Sequence, residues 1–427
     1  MIPSSSKVAM LFLLLILTAA CCTTSRANNG GSGYSRYGIG DIRYFASSRS
    51  MGMGGASIAV LSPTTIDRIN PALWTRIHNT SFSAGALFEG FSTSDGIHSR
   101  FLSGAQFNGF MIAVPLMKES GLVLGAGITP YSQVNYNIVT TFQPYSQAIN
   151  EYTLQYIGEG GLSLGHVGAS ANVGTDIHIG AKLNYYFGTL HHTVKQQFPI
   201  TQFTSSEVLR STRLNGIGGT FGAAYTGLSK LFNLPETNVM TIGSVFTTTS
   251  YLTSEEERFY KYTTGSLTTR DTTISPESKI RLPIAFGTGF SYQTERFLFA
   301  GDLYYQNWNQ YRVSGARASG IRDSYRVSVG GELLPKRDVS ALFTQRIAYR
   351  LGAFYHATYY QIKNEPINEI GLSGGLGIPI FSNTRLNLAA EYSFRGTTNQ
   401  LLQKDKILRI SCMLNVGELW FFRPPEE

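Results

Sequence analysis

From Thr80 onward, apolar and polar residues alternate with a period of two. Leu386, Leu388, Ala390, Tyr392 and Phe394 share one face, and Arg385, Asn387, Glu391 and Ser393 share the other. Ile177, Ile179, Ala181, Leu183 and Tyr185 likewise oppose His178, Gly180, Lys182, Asn184 and Tyr186. Leu408, Ile410, Cys412, Leu414 and Val416 oppose Arg409, Ser411, Met413 and Asn415. Successive side chains of a strand point to opposite faces, so this period predicts strands. They fall near 79–91, 101–116, 121–134, 153–173, 176–190, 208–228, 236–252, 279–294, 296–312, 323–335, 344–361, 367–380, 384–396 and 405–422. The count is about fourteen, an even number, as bacterial membrane barrels have.

A two-sheet sandwich alternates too. Two features point to lipid instead. The segments run to about ten residues or more, the length of a tilted spanning strand rather than a globular one. Aromatics also gather at their ends: Tyr304, Tyr305, Trp308 and Tyr311; Tyr355, Tyr359 and Tyr360; Trp420, Phe421 and Phe422. Interfacial girdles have this character. The expected fold class is therefore all-β, a transmembrane antiparallel up-and-down barrel with an N-terminal lumenal plug. Every backbone amide in hydrocarbon must be paired within the protein, and only a closed sheet leaves no edge. Connections mostly alternate between tight ones (Gly174–Asp176, Thr294–Glu295, Phe381–Asn383) and long polar ones near 135–152, 191–207 and 253–278. Short turns face the periplasm and long loops the outside. With an even strand number, both chain ends are then expected in the periplasm.

Composition agrees. Of 427 residues only 15% are charged, 12% are aromatic and 45 are Gly. The net charge of +8 is spread along the chain, so no nucleic-acid partner is expected. Residues 1–27 read as a signal peptide: Lys7, an apolar run Val8–Ala20, and a small-residue site at Ser25-Arg26-Ala27. Thr18-Ala19-Ala20-Cys21 offers a lipoprotein-like alternative, and the choice of signal peptidase stays open. No later run of about 18 apolar residues suggests a membrane helix. Cys412 would then lack a disulfide partner.

With apolar faces outward, the lumen receives Lys182, Asp302, Arg326, Glu332, Arg350, His356, Arg385, Glu391, Arg395 and Arg409. These either brace the wall as ion pairs or grip a ligand carboxylate. Tyr186, Tyr304, Arg350, Phe354, Arg385 and Met413 are the candidate lumenal ligand contacts. Ahead of the barrel (79–427) lies a segment, 28–78, suited to folding back as a plug. Gly52, Gly54 and Gly55 permit close backbone approach, and Met51 and Met53 are adaptable fillers. Asn70-Pro71-Ala72 suits a turn that opens a short helix.

The stretch "SRSMGMGGASIAV…INPALW" resembles the N-terminal hatch of the FadL/TodX family of outer-membrane transporters for hydrophobic compounds. Ser50, Gly52, Gly54, Gly55, Asn70, Pro71 and Ala72 carry the likeness, and Arg49-Ser50 stands where Arg-Ala is commoner. "GEGGLSLGHVGA", "LPIAFGTGFSY", "GDLYYQNWNQY" and "LNLAAEYSFRGTT" extend it over most of the mature chain. The resemblance implies a fourteen-stranded plugged barrel with an inward kink in the third strand that opens the wall sideways. Gly127 and Pro130 are the candidate lateral gate, although a strand simply ending at Thr129 would read the same.

The expected function is passive uptake of hydrophobic small molecules, such as long-chain fatty acids or aromatic hydrocarbons, through a Gram-negative outer membrane. The alternative is a structural or accessory barrel of a protein secretion machine of the type IX kind. An enzyme is not expected: His98, His191 and His192 lie near Ser and Thr, but no nucleophile motif frames them. No cofactor or metal is implied. Expected partners are a hydrophobic ligand, outer-membrane lipid and, during biogenesis, the barrel-assembly machinery, with the chain itself a monomer.

Overall fold

A computed structural model describes residues 31–418 apart from 46, 143–150, 200–202, 236, 337, 339 and 382. The predicted signal peptide and Trp420–Phe422 lie outside the described residues. Fourteen antiparallel wall strands close into a barrel. In chain order they are β1 (Thr80–Ser94), β2 (Ser99–Met117), β3 (Leu122–Gln133, resumed at Tyr136–Phe142), β4 (Tyr152–Val173) and β5 (Ile177–Gln197). Next come β6 (Ser205–Tyr225), β7 (Val239–Thr247 and Ser250–Thr264), β8 (Ser278–Leu282 and Ala285–Gln293), β9 (Phe297–Gln306) and β10 (Ser324–Leu333). The last are β11 (Ala348–Ile362), β12 (Glu365–Phe381), β13 (Thr384–Gly396) and β14 (Lys404–Glu418). Each pairs with its sequence neighbour, and β14 closes on β1 from Thr80↔Glu418 to Ser94↔Lys404.

The two faces divide as the alternation predicts. Leu183, Ile370 and Leu372 point outward and are exposed, while Lys182, Glu369 and Ser373 point inward and are buried. The regions 191–207 and 253–278 are not simply loops, as the sequence suggested. β5, β6 and β7 run on through them, joined by a further strand, Leu267–Ile274, which pairs with β7. Above the apolar belt both faces are polar, so alternation fades while backbone pairing continues.

The aromatic girdle is also smaller than expected. Tyr305 and Tyr355 face outward, but Trp308, Tyr311, Tyr359 and Tyr360 are buried in an apolar cluster inside the barrel. Trp308 stacks on Tyr359 with ring centroids 4.1 Å apart. Trp308 and Tyr311 come where β9 has given way to a 3-10 turn at Trp308–Gln310, and Tyr359 and Tyr360 lie within β11 at an irregularity in its pairing with β12 between Ala357 and Gln361.

The N-terminal segment passes through the lumen from one end to the other. Gly31–Arg36 lies at the long-loop end: Ser32 Oγ donates to Asp405 Oδ2 at 2.5 Å, and the Tyr34 hydroxyl donates to the Gln403 carbonyl. A helical turn, Ser48–Met51, packs on β12, β13 and β14. A 3-10 turn, Pro71–Arg76, sits against β4, β5 and β6 before the chain enters β1. The start of the described chain and its end at Glu418 are therefore at opposite ends of the barrel. The expected periplasmic position of both chain termini concerns residues outside those described.

Candidate functional site

The charged side of the lumen is a matched ionic frame. Glu89 takes Arg43 Nη1 and Nη2 at 2.6 and 2.5 Å and Arg409 Nε at 2.9 Å. Arg409 Nη1 also reaches Glu391 and Glu369 at 2.6 and 2.8 Å. Glu332 holds Arg49 and Arg350. Arg395 holds Asp41 and Asp405. Arg326 adds a longer pair to Glu391, 3.9 Å, and donates to the Gly54 carbonyl. Arg43, Arg49, Arg326, Arg350, Arg395 and Arg409 are thus met one for one by Asp41, Glu89, Glu332, Glu369, Glu391 and Asp405. Three members, Asp41, Arg43 and Arg49, belong to the N-terminal segment. Burying a charge is costly unless it is paired and hydrogen-bonded, so each of these fixes the segment to the wall.

The glycine-rich stretch fits where a side chain would not. A Cβ on Gly54 would stand 2.4 Å from the Ala353 carbonyl oxygen, and Gly54 and Gly55 have φ of +70° and +98°. Gly54 N–H donates to Ser373 Oγ. Gly52 lies against Gly375 of β12. Ser47 and Ser50 form a reciprocal capping box on the helical turn. Asn70 caps the Pro71–Arg76 turn by accepting from Ala72 N–H, and its Nδ2 donates to the Ile58 carbonyl at 2.8 Å. Pro71 occupies the first turn and Ala72 is fully buried. All seven predicted hatch residues therefore lie inside the barrel against its wall.

Between Ile42–Tyr44, Ile58 and Arg68 of the segment and the walls of β3 to β10 is a cavity of about 90 Å³. Tyr44, Tyr131, Tyr186 and Tyr304 line it together with Lys182 and Asp302. Asp302 Oδ2 accepts the N–H groups of Ser57 and Ile58 at 2.6 and 2.9 Å, while Oδ1 has no partner among the described residues. The cavity lining mixes these polar groups with Ile42, Ile58, Leu164 and Leu282, and a space of this size suits a few waters. It is smaller than the roughly 150 Å³ in which benzene fits.

Of the candidate ligand contacts, Tyr186 and Tyr304 line this cavity. Arg350, Phe354, Arg385 and Met413 face inward but do not line it. Arg350 is committed to Glu332 and to Asn387 Oδ1. The Arg326 guanidinium covers the Phe354 ring at 3.6 Å. Arg385 Nη1 donates to the Gly377 carbonyl, and Met413 is buried. Sequence reasoning missed Tyr44, Tyr131 and Arg68. Arg68 donates to three carbonyls, those of Phe45, Pro130 and Arg43. No local spacing signals such contacts.

β3 parts from its neighbour β2 after Ile128. β2 and β3 pair from Met117↔Leu122 to Phe110↔Ile128, and no pairing between them follows among the described residues. Gly127 lies in the paired part, where a Cβ would meet the Phe110 carbonyl at 2.6 Å. Pro130 lies just beyond, next to a bulge in the β3–β4 pairing. A short strand of the N-terminal segment takes the vacated edge of β3, with Asp41↔Gln133 and Ile42↔Ser132. β2 continues to pair with β1 up to Ser99. The wall therefore has a seam between Ser99–Phe107 of β2 and Thr129–Phe142 of β3, and Tyr131 places it next to the cavity.

Comparisons with known proteins bear on this arrangement. The sequence model of the BamG family matches residues 7–424. No curated protein matches the sequence. The fold is similar to that of the Pseudomonas putida toluene transporter TodX, with 15% identity, 89% of this chain and 99% of that one covered, and a TM-score of 0.58. The Ralstonia pickettii toluene transporter TbuX gives 13% identity, 88% and 99% coverage, and 0.56. A Pseudomonas aeruginosa FadL homologue gives 12%, 88% and 99%, and 0.56. At these identities the likeness establishes the FadL-type barrel fold.

Proposed function

The chain belongs to the BamG family, and we propose that it is an outer-membrane barrel of the FadL type for passive uptake of small hydrophobic compounds, with sideways exit. The seam beside β3 carries this reading. It is a break in hydrogen bonding between two neighbouring wall strands, and it adjoins the internal cavity. A compound that leaves there passes into acyl chains without crossing water, driven by apolar burial of about 25 cal/mol per Å². The long loops would face outward and Glu418 the periplasm. The described part of the segment 28–78 acts as the plug, with Gly52, Gly54 and Gly55 seating it and Asn70-Pro71-Ala72 anchoring its base. Displacement of its Ile58 region, with Asp41–Ile42 still paired to β3, would widen the cavity to ligand size. Two of the fold relatives named above, TodX and TbuX, are toluene transporters, which accords with a non-enzymatic role. The test is uptake of radiolabelled toluene and of a long-chain fatty acid by cells with and without the chain. A higher rate that saturates and needs no energy source supports the reading, and equal rates oppose it.

A second reading has its own support. The family name points toward the barrel-assembly machinery, and the matched ionic frame fills the lumen as a brace would. On this reading the chain is an accessory barrel held by protein partners. Affinity purification from solubilised membranes separates the two: a stoichiometric complex with another barrel protein, together with unchanged uptake, favours the accessory role.

A further inference from the structure

The seam is formed by two free edges that match one another. β2 carries one extra residue, Asn108, where Gly85↔Gly109 is followed by Ala86↔Phe107. β3 carries one extra residue, Tyr131, where Pro130↔Ser163 is followed by Ser132↔Leu162. A bulge moves later side chains to the other face of a strand. Because both strands are bulged at the same level, their faces return to phase. Extending the register of Phe110↔Ile128 then sets Gln106 opposite Ser132 and Leu102 opposite Tyr136, with inward residues opposite inward ones. The two edges also lie close. A Cβ on Gly104 would be 4.0 Å from Asn135 Nδ2, and Arg100 Nη1 reaches the Asn137 carbonyl at 3.5 Å.

Parts of the N-terminal segment stand between them. Asp41–Ile42 occupies the β3 edge, and Arg43 N–H donates to the Tyr131 carbonyl at 3.0 Å. Arg68 holds the Pro130 carbonyl at 2.8 Å. Ser35 Oγ both donates to the Asn135 carbonyl and accepts from its N–H. Pro130 itself has no N–H to offer and marks where zipping stops.

We propose that the seam is a strand-exchange switch: the β3 edge from Tyr131 to Tyr136 pairs either with the plug strand Asp41–Ile42, leaving the wall open to the membrane, or with Gln106–Leu102 of β2, sealing it. Withdrawal of the plug strand leaves unpaired amides at membrane depth, where each costs several kcal/mol. Zipping onto β2 relieves this. Plug position and side opening are therefore coupled: the plug strand that fills the lumen also holds the wall apart. This rests on the sideways-exit reading for its meaning, but its test reads wall geometry and requires no compound to be carried.

The test uses the full chain in native membranes with Cys412→Ser as background. Gln106→Cys with Ser132→Cys reports the sealed wall. Phe110→Cys with Ile128→Cys, at a position paired in both states, reports folding. Oxidation is followed by quantifying cross-linked peptides. The seam pair should cross-link weakly in the parent and at least about fivefold more with Ile42→Pro, which weakens plug-strand pairing. Arg68→Met, which releases the Pro130 carbonyl, should raise it as well. If either variant loses the Phe110/Ile128 cross-link, the other decides. An unchanged seam yield in a variant that keeps the control cross-link overturns the proposal, as does full cross-linking of the seam pair in the parent.

Discussion

Replacing Glu89 by Gln tests whether the N-terminal segment is braced by charge. Glu89 is 5% exposed and receives four hydrogen bonds: two from Arg43, one from Arg409 and one from Gln106 Nε2 at 2.6 Å. The amide keeps the shape but removes the charge, leaving two guanidiniums with one negative partner fewer. Breaking a buried ion pair from one side costs about 3–5 kcal/mol. The retained carbonyl and Arg409's other carboxylates place Glu89→Gln near 3 kcal/mol on that scale. Arg43→Met alone leaves Glu89 paired with Arg409 and should cost less, about 2 kcal/mol. In the double variant the missing anion is matched by a missing cation, so the combined loss should fall at least about 1 kcal/mol short of the sum. Urea unfolding in detergent micelles, with the slope checked for constancy, gives these values. A Glu89→Gln loss below about 1 kcal/mol, or strict additivity in the double variant, would refute the bracing argument.

Four further outcomes follow from the geometry. Gly54→Val forces a Cβ onto the Ala353 carbonyl at a φ of +70°, and should unseat the plug, raising protease cleavage between residues 50 and 60 while the barrel stays folded. Asn70→Ala removes the cap and the Ile58 carbonyl bond, at about 1–2 kcal/mol in micelle unfolding. Leu183→Arg puts a charge on the outward face and should cost about 2–4 kcal/mol if that site lies at the bilayer midplane. Gly289→Val puts a Cβ 2.3 Å from Asp302 Oδ1 and 3.0 Å from Ile58 Cβ, and should loosen the hold of Asp302 on the Ser57 and Ile58 amides at about 1–3 kcal/mol in micelle unfolding.

The strands were legible because period two is local: Leu183 and Lys182 declare their faces without reference to any partner. The lumenal charges were legible as a set for the same reason. Their pairing was not, since Arg43 meets Glu89 and Arg49 meets Glu332 across distances in sequence that no pattern records. The ends of β5, β6 and β7 were lost where polar residues cover both faces. Trp308 and Tyr359 read as girdle because their chemistry suits headgroups as well as an internal stack. Gly54 was found because unusual dihedrals and close approach favour glycine, and Asn70 because Pro71 restricts the residue before it; its capping role was not legible. Pro130 lies just past the last β2–β3 pair, beside a bulge that its missing amide favours but does not place. The strand that fills the gap, Asp41–Ile42, is two residues long and has no period to read.

Sideways exit is best tested by photolabelling. The protein is reconstituted in bilayers, equilibrated with a diazirine-bearing toluene analogue, illuminated, and mapped by peptide mass spectrometry. Adducts should concentrate on the inward and seam residues Tyr131, Asn135, Tyr136 and Tyr186, and excess toluene should suppress them. Adducts spread evenly over outward residues such as Leu183 and Leu372, with none on Tyr131 or Tyr136 and no competition by toluene, would contradict passage through the seam.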